Sequence, residues 1–114
     1  MDAEEKMPVF KKACYLVIGY DKNEQFFNEA IVGAMEVLGQ MGYITVVNPL
    51  NTQPFECTKK LFKQITSSLL ECCSAYAILE TDGVFTTQCM MMEMEIAAQM
   101  GLESMSVSIQ KGGE

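Results

Sequence analysis

The sequence predicts an α/β protein in which helices cover both faces of a mainly parallel sheet of about four strands. Two observations predict it: short apolar runs alternate with segments of helical periodicity, and glycines follow the first and third helical segments. The run Cys14–Ile18 is apolar without interruption, which is typical of a strand buried on both faces. Strands separated by helical segments imply right-handed crossovers, and therefore parallel pairing.

The alternation predicts four strands and three helices. The strands are expected at Cys14–Ile18, Tyr43–Val47, Ala75–Leu79 and Met105–Ile109. The helices are expected at about Glu24–Met41, Thr58–Cys72 and Thr87–Met100. Asp21 and Glu24 resemble a capping box, Thr58 is a candidate N-cap, and Gly42 and Gly101 are candidate left-handed caps.

Two of the predicted helices carry an apolar stripe at spacings of three and four residues, which is typical of a helix packed on a core. The stripe of the first helix is Phe27, Ala30, Ile31, Ala34, Leu38 and Met41. The stripe of the second is Leu61, Phe62, Ile65, Leu69 and Cys72.

Length and composition indicate one ordinary globular domain. The chain has 114 residues, of which 49% are apolar and 20% charged, so it can bury one core. We expect a flexible segment at 1–12, one α/β domain at 13–110 and a flexible tail at 111–114. The acidic N-terminus does not resemble a leader and no apolar run could span a membrane, so a cytoplasmic protein is expected.

The residue types that are missing exclude several kinds of site. The chain has no His and no Arg, so Ser-His-Asp catalysis, His-ligated metals and bidentate guanidinium binding of phosphate are excluded. A net charge of −7 disfavours binding to nucleic acid or to an anionic membrane. The five cysteines follow no framework spacing, so we expect reduced thiols that mostly pack in the core. We expect neither a metal nor another cofactor.

Ligands of parallel α/β sheets bind outside the carboxyl ends of the strands. The loops at 19–24, 48–57 and 80–87 are predicted to lie there. Thr86 and Thr87, at the start of the third helix, could contact a ligand, although capping is the commoner use of such residues.

Glu93 is the most informative residue of the third helix. At about 100° per residue it falls between Ala97 and Met100, and so points into the apolar sector. Two interpretations stand: a buried carboxylate with partners or a raised pKa, as in active sites, or a carboxylate that reaches solvent from the margin of the stripe. The neighbouring methionines are interpreted as filling the core or an oligomer interface.

Three segments in a fixed order carry a family resemblance: Gly42–Leu50, Leu69–Cys72 and Thr87–Glu103. In the last, Thr87 is followed six residues later by Glu93 and then by Ala97 and Gly101. This resembles the pattern Ser-x-Gly-x-x-x-Glu, with a trailing Ala and Gly-Leu, of the nucleoside 2-deoxyribosyltransferase-like superfamily. The resemblance covers roughly residues 13–109. It implies a three-layer Rossmann-like or flavodoxin-like sandwich, usually oligomeric, that cleaves or transfers the N-glycosidic bond of deoxynucleosides.

The resemblance also implies site residues. Glu93 matches the nucleophile of the retaining scheme, and Thr87 matches a hydroxyl that contacts the ligand. Where relatives carry acids, this chain has Ile65 and Cys73, and Cys89 replaces the glycine of the motif. Asp21 could supply the missing acid, although such a residue more often only caps its helix. Further candidate ligand contacts are Gly19, Tyr20, Asn48 and Thr86.

Three functional hypotheses follow. The first is a degenerate family member that binds a nucleoside-like small molecule or a protein partner with little catalysis, which the missing acids favour. The second is an active transferase or hydrolase that uses Glu93. The third, a flavodoxin-like or receiver-like signalling domain, is disfavoured because the first strand lacks a following acidic pair. The methionine-rich third helix predicts a homodimer or a larger homo-oligomer.

Overall fold

A four-stranded, fully parallel sheet forms the centre of the protein. The computed structural model describes residues 13–19, 24–48, 58–81 and 87–109. The elements in chain order are β1 (Ala13–Val17), α1 (Glu24–Gln40), β2 (Ile44–Val47), α2 (Lys59–Leu70), β3 (Ala75–Glu80), α3 (Gln88–Gln99) and β4 (Glu103–Ser108). The predicted α/β class and the number of strands are confirmed.

The strands lie in the order β2-β1-β3-β4. Tyr15 of β1 pairs with Val46 of β2 on one side and with Tyr76 of β3 on the other. Because β1 is central, all five of its residues are buried, which explains its uninterrupted apolar sequence.

Helices cover both faces of the sheet and divide the core in two. On one face α1 packs against alternate residues of β1 and β3, including Cys14, Leu16 and Ala77. On the other face α2 and α3 cover the residues between them, among them Tyr15 and Tyr76. The protein is therefore a three-layer sandwich of Rossmann-like or flavodoxin-like architecture.

The predicted helix caps are confirmed where the structure describes them. Thr58 caps α2 by accepting a hydrogen bond from the Leu61 amide at 3.1 Å. Gly42 and Gly101 follow α1 and α3 with φ angles of 96° and 77°, a region in which a side chain is strained. Asp21, the flexible segment expected at 1–12 and the tail expected at 111–114 lie outside the described residues.

Three residues predicted to face the core are exposed. Met41 and Cys72 lie beyond the last residues of α1 and α2, in the turns that end these helices, so helical periodicity no longer places them on the core. Leu61 is 40% exposed, because the buried stripe of α2 is Phe62, Thr66 and Leu70. Within the described ranges, no helix has the length and hydrophobicity needed to cross a membrane.

Candidate functional site

Glu93 lies on the inner face of α3 and is completely buried. It shares this face with Met90 and Ala97, which are buried as well. Of the two interpretations of Glu93, the inward-facing one is therefore correct. A carboxylate in such a position needs hydrogen-bond partners, because desolvation of a charge is costly.

Tyr15 supplies one of these partners from the middle of β1. Its hydroxyl donates a hydrogen bond to Oε2 of Glu93, across the interface between the sheet and α3. Burial raises the pKa of Tyr15 above its ordinary value, and the charge of Glu93 and the hydrogen bond to it raise it further. Tyr15 therefore stays protonated and acts as a donor to the carboxylate.

Asn48 and Thr66 complete a buried polar cluster around Tyr15. Asn48 directly follows β2, two residues beyond Val46, and so lies on the same face of the sheet as Tyr15. Its Nδ2 donates to Oγ1 of Thr66, on the inner face of α2, over 2.9 Å. Both side chains also act to lower the pKa of the Tyr15 phenol, which partly offsets its rise. We call Tyr15, Asn48, Thr66 and Glu93 the polar cluster.

Glu93 is the only buried carboxylate among the described residues. The other members of the polar cluster are two hydroxyls and an amide, which donate or accept hydrogen bonds but do not ionise near neutral pH. Ile65 and Cys73 stand where the resemblance expects acids. Ile65 has no ionisable group, and burial raises the pKa of the Cys73 thiol to about 11, with a smaller effect of Cys72, which makes it a poor proton donor near neutral pH. The described part of the cluster can therefore hold and orient one carboxylate, but it has no second carboxyl group to protonate a leaving group.

The carboxyl ends of β1 and β3 form a topological switch point of the sheet. These strands are neighbours, yet the chain continues from β1 to α1 on one face and from β3 to α3 on the other. Such a point leaves a crevice outside the sheet in which α/β proteins bind ligands. Gly19, half-buried, lies at this edge just beyond β1.

Thr87 and Asn48 both have contacts within the protein. Thr87 is the N-cap of α3, and its hydroxyl accepts a hydrogen bond from the Met90 amide at 3.1 Å, as the commoner use of such residues predicts. Asn48 points into the polar cluster. Tyr20, Asp21 and Thr86 lie outside the described residues, so their proposed roles stay predictions.

Tyr15 and Thr66 were not among the predicted site residues, although the sequence holds a signal for each. A tyrosine within a strand buried on both faces needs a partner for its hydroxyl. Thr66 stands between Phe62 and Leu70 at spacings of four, so a polar residue interrupts an apolar stripe.

The structure describes Cys14, Cys72, Cys73 and Cys89. Cys14 and Cys73 are buried, and Cys72 is exposed. In the part of the chain that the structure describes, no three acidic or cysteine side chains are close enough to hold a metal ion.

No family model matches the chain, and no curated protein matches it.

Proposed function

We propose that the protein binds a nucleoside-like small molecule at the carboxyl edge of the sheet and catalyses little or no cleavage of it. The observation that carries this proposal is the burial of Glu93 in a cluster whose other described members are neutral. Retaining cleavage of an N-glycosidic bond needs a nucleophilic carboxylate and a second group that protonates the departing base. Within the described residues, the cluster supplies the first group and holds no second carboxyl group.

The switch point between β1 and β3 supports the location of the site. The sugar of a nucleoside would enter the crevice beside Gly19, with its hydroxyls toward the polar cluster. The absence of Arg leaves no bidentate partner for a 5′-phosphate. We therefore expect an uncharged 2′-deoxynucleoside to bind better than its monophosphate.

Calorimetric titration with 2′-deoxynucleosides tests the proposal, together with chromatography of the mixtures for released base. We expect saturable binding, base release no faster than in protein-free buffer, and binding weakened at least tenfold by Glu93→Gln. Glu95→Gln is the matched control, because Glu95 is exposed on the same helix. Lack of saturable binding to any deoxynucleoside would contradict the proposal.

The second candidate is an active N-glycosidic transferase or hydrolase with Glu93 as nucleophile. The hydrogen bond from Tyr15 favours it, because it holds the carboxylate in one orientation. In this case Asp21 or a residue of a second copy would have to act as the acid. Base release that Glu93→Gln abolishes and Glu95→Gln leaves intact would establish this activity and replace the first proposal.

We also propose that the chain forms a homodimer or a larger homo-oligomer through its third helix. Met91 and Met100 of this region are 60% and 39% exposed. Large apolar side chains that are left on a protein surface are often buried in an interface between subunits. Light scattering should give at least twice the chain mass of 12.7 kDa, and Met91→Lys should lower it. A mass of one chain at micromolar concentration would refute the oligomer.

A further inference from the structure

The outer surface of α2 carries its charges against the helix dipole. Lys59, Lys60 and Lys63 lie in the N-terminal half of the helix and Glu71 is its C-cap, and all four are exposed. The first turn holds no acidic residue and the last turn no basic residue. The opposite arrangement stabilises a helix, because its N-terminus carries partial positive charge and its C-terminus partial negative charge. The charges of α2 therefore weaken this helix in a single chain.

No other charge within α2 compensates for this arrangement. Side chains three or four residues apart can pair on a helix surface, but the helix itself holds no acidic residue. Its outward face is formed by exposed residues at spacings of three and four: Lys60, Gln64, Ser68 and Glu71. Lys60 and Glu71 are about 16 Å apart along the helix axis, given a rise of about 1.5 Å per residue. They are therefore too far apart to pair within one chain.

A second copy of this chain is a partner that fits these charges. The chain has a net charge of −7, so two copies repel one another over most of their surfaces. In the part of the chain that the structure describes, Lys59, Lys60 and Lys63 are the only basic residues. The outward face of α2 also holds Glu71 at its other end, so this one face contains both the positive and the negative member of a pair.

We propose that α2 pairs in antiparallel orientation with α2 of a second copy, so that Lys60 lies next to Glu71 of the partner subunit. This inference rests on the proposed homo-oligomer, and it extends the interface from α3 to α2, which packs beside α3 on the same face of the sheet. Antiparallel pairing brings the basic end of each helix to the acidic end of the other, and it also places the two helix dipoles in opposite directions. A parallel pair would bring like charges together.

A twofold axis generates this arrangement from a single surface. The same patch then occurs on both subunits, so the contact between Lys60 and Glu71 is made twice. The axis passes near the middle of the outward face, where Gln64 and Ser68 are uncharged. Leu61 of α2 and Met91 of α3 are 40% and 60% exposed, and they supply apolar surface between the charged contacts, as in other interfaces with a polar rim.

Sedimentation equilibrium of charge variants of the full chain tests the inference. Lys60→Glu and Glu71→Lys each place like charges at both contacts, so we expect each to raise the dissociation constant of the dimer by about tenfold or more. The double variant reverses both charges and should return the constant to within about threefold of that of the unmodified protein. An equimolar mixture of the two single variants should also dimerise, because every charged contact in the mixed dimer joins a lysine to a glutamate.

Glu36→Lys is the matched control. It makes the same change of charge as Glu71→Lys, but Glu36 is exposed on α1, which covers the opposite face of the sheet. The dissociation constant should therefore stay unchanged. Both single variants of α2 bring its charges into accord with the helix dipole, so loss of the dimer would not result from unfolding of this helix.

The outcomes separate this inference from the proposals on which it builds. An unmodified protein that sediments as a single chain would refute both the homo-oligomer and the pairing of α2. A dimer whose dissociation constant is unchanged in Lys60→Glu and Glu71→Lys would overturn the pairing alone, as would a mixture of these variants that stays monomeric. Failure of the deoxynucleoside titration would leave the result untouched, since the measurement uses no ligand.

Discussion

Tyr15→Phe is expected to lower the free energy of unfolding by about 2–3 kcal/mol. The substitution removes one hydroxyl and creates almost no cavity, so the cost comes from the hydrogen bond that Glu93 loses. Hydrogen bonds to charged groups contribute about 1.5–3 kcal/mol, and a buried group left without its partner adds its own desolvation cost. Urea denaturation followed by circular dichroism would measure the change.

A double-mutant cycle with Glu93→Leu attributes this cost to the pair. Leucine has nearly the volume of glutamate and needs no partner, so Tyr15→Phe should cost much less in the Glu93→Leu background. We expect the two effects to differ from additivity by about 1.5–3 kcal/mol. Tyr43→Phe is the control, because Tyr43 packs on the opposite face of the sheet. Additive effects of Tyr15→Phe and Glu93→Leu would contradict the coupling.

Most of the fold could be predicted from the sequence because the signals that define it are local. The apolar run of β1 and the glycines that end α1 and α3 depend on neighbouring residues alone. The predicted elements differ from the observed ones mainly at their ends. Met41 and Cys72 were predicted to face the core but are exposed, because the helices end before them. Periodicity does not report where a helix stops.

Helical periodicity alone could not decide whether the Glu93 side chain points inward. The residue lies at the edge of the apolar stripe, and the limits of that stripe depend on how α3 is rotated on the sheet. The polar cluster was harder to predict, because its members are separated by up to 78 residues in the sequence. The order of the strands in the sheet brings them into contact. Asn48 and Thr66 come together because α2 crosses back over β1 after β2. Strand order is a property of the whole sheet, and no local pattern near Thr66 reports it.

Burial of the polar cluster links stability to the proposed function. A ligand that contacts Glu93 must replace some of the groups that now cover it, since the carboxylate has no exposed surface. Its binding must therefore offset the contacts that it displaces. This favours a ligand with hydroxyls that can hydrogen-bond the carboxylate, such as the sugar of a nucleoside, over an apolar one.

The protein is expected to lose stability steeply above about pH 9. Burial raises the pKa of the Cys14 thiol to about 12, with a smaller effect of Cys73, and it raises the pKa of Cys73 to about 11, with a smaller effect of Cys72. The pKa of Tyr15 is raised as well. In the unfolded chain thiols ionise from about pH 8.5 and phenols from about pH 10.

The sign of the effect follows from the number of bound protons. Above pH 9 the folded protein keeps protons that the unfolded chain releases, so alkali favours unfolding. The contribution of each group is complete below its unfolded pKa and is lost as the pH rises toward its folded pKa. Each group adds at most about 1.4 kcal/mol per pH unit to the slope.

Urea midpoints measured between pH 7 and pH 11 would test this expectation, and Cys14→Ala isolates one group. The variant should be less stable at pH 7, because it leaves a small cavity, but its stability should fall less steeply above pH 9 by up to about 1.4 kcal/mol per pH unit. Cys72→Ala is the comparison, because Cys72 is exposed and has only a smaller effect on the pKa of Cys73, so its slope should change less than that of Cys14→Ala. Equal slopes in Cys14→Ala and the unmodified protein would mean that Cys14 ionises as readily in the folded state as in the unfolded chain.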